Sequence, residues 1–72
     1  MRHENYHGYV LWGHAIAQWD ELSEKDCYAA SGTVTKGRTL AHASGALDIF
    51  EEEAMALDFG IAWARAWVDT HG

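Results

Sequence analysis

Between Gly8 and Ala17 the chain runs GYVLWGHAIA, apolar almost without interruption at first and rich in strand formers. That pattern predicts a strand covered on much of both faces. Polar and acidic positions take over from Gln18 to Lys25, with Asp20, Glu21 and Glu24. This stretch is expected as a surface connection with room for a helical turn, from which Trp19 folds back onto the body. The segments CYAASGTVT and RTLAHASGA then flank Lys36-Gly37, and a two-residue loop ending in Gly predicts a hairpin. With that loop Thr35 faces Arg38, Val34 faces Thr39, Ser31 faces His42 and Ala30 faces Ala43. The pleat would place Tyr28, Ala30, Gly32, Val34, Ala41 and Ala43 on one small, apolar face. Ala29, Ser31, Thr33, Leu40, His42 and Ser44 would lie on a mixed outer face.

Asp48 and Glu51 have capping-box spacing, and Glu51, Glu52 and Glu53 put negative charge where a helix dipole favours it. A helix is predicted from residues 49–51 to about Thr70. At about 100° per residue, Asp58, Arg65 and Asp69 form a narrow polar stripe, opposite a groove of Ala56, Gly60, Trp63, Ala64 and Trp67. The groove is expected to lie on the small-residue face of the sheet. The predicted architecture is α+β, a three-stranded antiparallel sheet (β-β-β) packed against one long C-terminal helix. Residues 1–72 form a single domain, with 1–6 expected as a flexible N-terminal tail.

Composition narrows the functional classes. Seventy-two residues give one domain that buries only about three fifths of its unfolded surface, so its core is small. A lone Cys27 excludes an intramolecular disulfide. Eleven acidic against five basic residues give a formal net charge of −6, which repels phosphate backbones and anionic membrane surfaces. Neither nucleic acid nor membrane is expected as a partner. The polar start Arg2, His3, Glu4, Asn5 and the absence of a long apolar segment point to a cytoplasmic location.

The motifs Gly8-Tyr9-Val10, Tyr28-Ala29-Ala30-Ser31-Gly32 and Trp63-Ala64-Arg65-Ala66-Trp67-Val68-Asp69 resemble those of a group of short hypothetical proteins of Burkholderia and related bacteria. The likeness covers most of the chain. Its motifs are structural, and it implies the β-β-β-α order alone. That order also resembles the last four elements of a double-stranded RNA-binding domain. The first helix and the basic helix start of such a domain are missing, and three glutamates stand where lysines are needed.

Chemistry-bearing residues are few. Ser31 opposite His42, with Ser44 and Thr33 nearby, is the one nucleophile and base pair that the expected register brings together. It lacks an orienting carboxylate and a glycine elbow, and a polar outer face explains it better. His3 and His7 have i, i+4 spacing, and His14 and His42 would meet if the first and third strands paired. No zinc signature accompanies them, so no metal or other cofactor is expected. Cys27 reads as an inert, part-buried thiol, and Trp63 and Trp67 as core.

The expected function is therefore that of a small non-enzymatic interaction or structural protein, self-associating as a homodimer or binding another protein. Apolar or small residues cover an arc of roughly 260° around the helix, more than three strands can shelter. Leu57, Ile61 and Val68 are the expected contact residues. The alternative is a ligand-binding protein or minor enzyme using the Ser31/His42 face or a Trp-lined pocket.

Overall fold

The computed structural model describes residues 2–71. Its architecture is α+β, with an antiparallel sheet of five strands where three are expected. In chain order these are β1 (Arg2–Tyr6), β2 (Tyr9–Asp20), β3 (Lys25–Lys36), β4 (Thr39–Ala43) and β5 (Asp48–Phe50), followed by α1 (Glu53–His71). The spatial order is β1-β2-β3-β4, and β5 joins the same edge of β3 beyond β4.

The first extra strand occupies residues assigned in sequence to the tail. Tyr6 pairs with Tyr9 around His7-Gly8, both of which take positive φ, 50° and 83°. Two such positions make a primed turn whose twist suits a hairpin. Histidine is an unusual occupant of the first one, and the turn is correspondingly hard to see in the sequence. The stretch from Gln18 carries no helical turn either. β2 runs on to Asp20, which pairs with Lys25. In the loop between them the Leu22 amide and the Ser23 hydroxyl donate to the Asp20 carboxylate. The Ser23 hydroxyl first, and the Leu22 amide second, hold Asp20 below the usual carboxylate range. Trp19 does not fold back; it stands largely exposed on this arm. The arm lengthens the molecule to 41 × 21 × 17 Å, with a radius of gyration of 12.8 Å against about 11 Å for a compact chain of this size.

The β3–β4 hairpin is present, in a different register. Lys36 pairs with Thr39, so the loop is Gly37-Arg38, and Gly37 takes φ 62° at its first position. That position is the one a type II′ turn reserves for glycine. A bulge between Val34 and Thr35 then shifts the pairing again, so that Val34 faces His42 and Thr33 faces Ala43. One inserted residue exchanges the faces of all that follows, and His42 moves to the helix side. Beyond β4, the Ser44 and Leu47 amides donate to Gly32 and Ala30 carbonyls, which leads the chain into β5. The expected capping box does not form. Asp48 is in β5 and accepts from the Ile49 amide, while Glu51 pairs with Lys25 at 2.7 Å. That bond raises the Lys25 pKa.

The helix lies across β2 and β3 with Ala56, Leu57, Gly60, Ile61, Ala64 and Val68 buried. This stripe is rotated from the expected groove, and Trp63 and Trp67 are at its border. Backbone meets backbone at Gly13, Gly32 and Gly60. A Cβ on Gly32 would sit 2.6 Å from the Gly60 carbonyl oxygen and 2.7 Å from the Trp63 ring, closer than any side chain tolerates. Leu11, Val34, Ile61, Ala64 and Val68 form the core cluster. No described helix is long and apolar enough to cross a membrane.

Candidate functional site

Each side of the helix is fixed to the sheet by different chemistry. On one flank the stripe Asp58, Arg65 and Asp69 meets the helix-facing residues of β1. Arg2 donates to Asp58, Arg65 donates to Glu4 at 2.6 Å, and the Tyr6 hydroxyl donates to Asp69 at 2.6 Å. The Asp69 carboxylate raises the Tyr6 pKa, mainly through that hydrogen bond. Strand period brings positions 2, 4 and 6 onto one face, and helical period brings 58, 65 and 69 onto one stripe. What reads in sequence as a narrow polar stripe is a seam of two ion pairs and one hydrogen bond to β1.

The other flank is aromatic. His42 stacks on Trp63 and on Trp67, with ring centroids 5.5 Å apart in both cases, and His71 stacks on Trp67 at 4.8 Å. Tyr9 meets Trp67 edge-on at 6.4 Å, and the Lys36 ammonium lies 5.1 Å from the Tyr9 centroid. These imidazoles and indoles occupy one another: both tryptophans stack on His42, and Trp67 stacks on His71 as well.

The sheet face away from the helix has no layer over it. Pairing through β2, β3 and β5 fixes its residues by alternation: Val10, Trp12, His14, Ile16 and Gln18 from β2, Cys27, Ala29, Ser31, Thr33 and Thr35 from β3, and Ile49 from β5. β3 forms a trough. Ala29, paired with Ile16 on one side and Ile49 on the other, is 1 % exposed, whereas each isoleucine is 50 % exposed. Ser31 is 9 % exposed in the same trough. Trp12 and His14 lean diagonally over β3. The indole N–H of Trp12 donates to Thr35 Oγ1 at 3.0 Å, and His14 Nε2 is 3.2 Å from Thr33 Oγ1. No buried side-chain polar atom among the described residues lacks a partner.

The structure does not assemble the sequence-predicted polar site. Ser31 is on the open face opposite His14, His42 is on the helix side against the indoles, and the Ser44 hydroxyl accepts from the Gly32 amide at the sheet edge. His14 and His42 are likewise on opposite faces with β3 between them, and no group of three or more metal-ligating side chains gathers among the described residues. The expected contact residues Leu57, Ile61 and Val68 are all buried beneath the helix. They face the sheet, and Met55 and Phe59 are the large apolar residues that the helix exposes in their place. Sequence reasoning missed the open face as a unit. Its signal is present all the same: positions 10, 12, 14, 16 and 18, and 27 to 35 at every second residue, carry no Asp, Glu, Lys or Arg. Compared with protein-family models, with curated proteins and with solved structures, the chain matches none.

Proposed function

We propose that this chain is a small non-enzymatic interaction protein that works by self-association. The observation that supports this reading is the ratio of sheltered to unsheltered apolar side chains. Among the described residues the buried apolar set is Leu11, Ala29, Ala30, Val34, Ala56, Leu57, Ile61, Ala64 and Val68, and four of these nine are alanines. Against it stand seven large hydrophobic residues in the open: Ile16, Trp19, Leu22, Leu40, Ile49, Met55 and Phe59. A chain of this size is marginal without a supplement such as oligomerisation. Burying one exposed Ile or Phe contributes about 1.5–3 kcal/mol, so covering even a few of them matters against a total stability of roughly 5–15 kcal/mol.

The test is mass against concentration. Light scattering on the full chain at about 0.5 mM, well above the dissociation constants of stable dimers, is expected to give twice the 8.0 kDa chain mass. The thermal midpoint should also rise with concentration, because association stabilises the folded state by mass action. A monomer mass at that concentration overturns the reading.

A further inference from the structure

The surface has two unsheltered apolar tracts, the outer side of α1 and the open face of the sheet. Resting on the self-association reading above, we infer that a second copy of this chain covers the open sheet face, β2 and β3 against β2 and β3 across a two-fold axis. Three observations select this face and this occupant.

The first is area. From Val10 to Gln18 the face is about 26 Å long at roughly 3.3 Å per residue, and three to four strands about 4.8 Å apart make it about 17 Å wide. That is about 450 Å² in plan. Pleat and side-chain relief add to it, toward the scale of the ~800 Å² of accessible surface that each partner contributes to a standard interface. The outer helix strip from Met55 to Ala66 is about 17 Å long at 1.5 Å per residue and about 10 Å across. Its area is a third of the sheet face, too little to hold a dimer.

The second is charge. Each copy carries −6, so two copies repel unless they meet where charge is absent. All eleven acidic and five basic residues lie outside the stretches Val10–Gln18 and Cys27–Thr35 that form this face. Depletion of charge at the centre is what distinguishes interfaces from the rest of a surface. Asp20 and Lys25, paired with each other at the arm's end, stand at the rim.

The third is relief and polar satisfaction. The ridge of Trp12, His14 and Ile16 on β2 runs beside the trough of Ala29 and Ser31 on β3. A two-fold operation sets the ridge of one copy over the trough of the other, and stacked sheets accept this at about 10 Å separation with their strands within about 30°. The Trp12 indole N–H and His14 Nε2 already have threonine partners, so covering the face strands neither of these two nitrogens.

Ile16→Asp on the open face and Phe59→Asp on the outer helix serve as the test pair, with mass measured by light scattering from about 5 µM to 0.5 mM and the fold checked by circular dichroism. The expected result is a dimer for the unmodified chain and for Phe59→Asp, and a monomer for Ile16→Asp, its dissociation constant raised at least about 100-fold. Should Ile16→Asp lose its helical signal, Ile49→Lys on the opposite wall of the trough takes its place with the same expected result. A folded open-face variant that remains dimeric, or a Phe59→Asp that splits the dimer, overturns the assignment of the face and leaves self-association standing. A monomeric unmodified chain overturns both.

Discussion

The two faces of the sheet invert the usual relation between size and burial. The face under the helix is paved with Gly13, Gly32, Ala15 and Ala30, whereas the uncovered face carries Trp12, His14, Ile16 and Ile49. Side-chain size here follows the distance to the next layer rather than exposure. The helix backbone touches the sheet backbone at the three glycines, so no side chain fits between them. Larger residues are admitted further along the helix, where Leu11 and Val34 are fully buried, and at its aromatic border, where Tyr9 and His42 meet the indoles. The open face has no such ceiling.

That contrast is broken most severely at the point of closest approach. Gly32→Val places its Cβ inside the van der Waals envelope of the Gly60 carbonyl and the Trp63 ring. It should cost about 3 kcal/mol or more, and a fall in the urea midpoint of that size, with loss of near-ultraviolet dichroism from the indoles, would check it. Leu11→Ala, in the same layer, removes a fully buried side chain and should cost about 2–5 kcal/mol depending on how far the helix settles into the cavity. Calorimetry at a low, fixed concentration isolates this loss from any effect of association.

On the open face the same kind of change should be nearly silent in a dilute solution. Ile49→Thr is expected to alter the unfolding free energy by no more than about 0.5 kcal/mol at micromolar concentration. A larger loss would mean that the trough walls support the monomer.

The smallest effect belongs to the seam between β1 and α1. Tyr6 is raised above its ordinary value by Asp69, so its bond to Asp69 stabilises the fold fully below the unfolded phenol value near pH 10 and is lost as pH rises through the higher folded value. Asp69→Asn should bring the Tyr6 absorbance transition to lower pH and flatten that part of the stability profile. An unchanged alkaline titration of Tyr6 would show that the bond is not maintained in solution.

Much of this arrangement was written in local pattern. The strand through Val10, Leu11 and Trp12, the hairpin around Gly37, the long C-terminal helix and the small-residue column Ala30, Gly32 and Val34 each follow from residue type and period alone. So does the grouping of Asp58, Arg65 and Asp69 on one stripe. The boundaries were less legible because they rest on a single residue's conformation. His7 takes a left-handed turn that histidine rarely announces, Gly37 sits first rather than second in its loop, and one bulged residue carries His42 across the sheet. The sequence pairs Ser31 with His42 on a register that the shifted loop replaces, and the bulge then carries His42 to the other face.

What the sequence determined by itself was the kind and order of most of its elements and the separation of charge from the alternating positions of β2 and β3, since these depend on interactions a few residues apart. The rotation of the helix, which buries Leu57, Ile61 and Val68, was decided only by the tertiary structure. Three glycines distant in the chain had to meet before the helix could approach so closely, and β1 had to be in place before the polar stripe had partners. The same is true of the trough between Ile16 and Ile49: its walls come from strands more than thirty residues apart, and a surface of that shape exists only once the sheet has closed around β3.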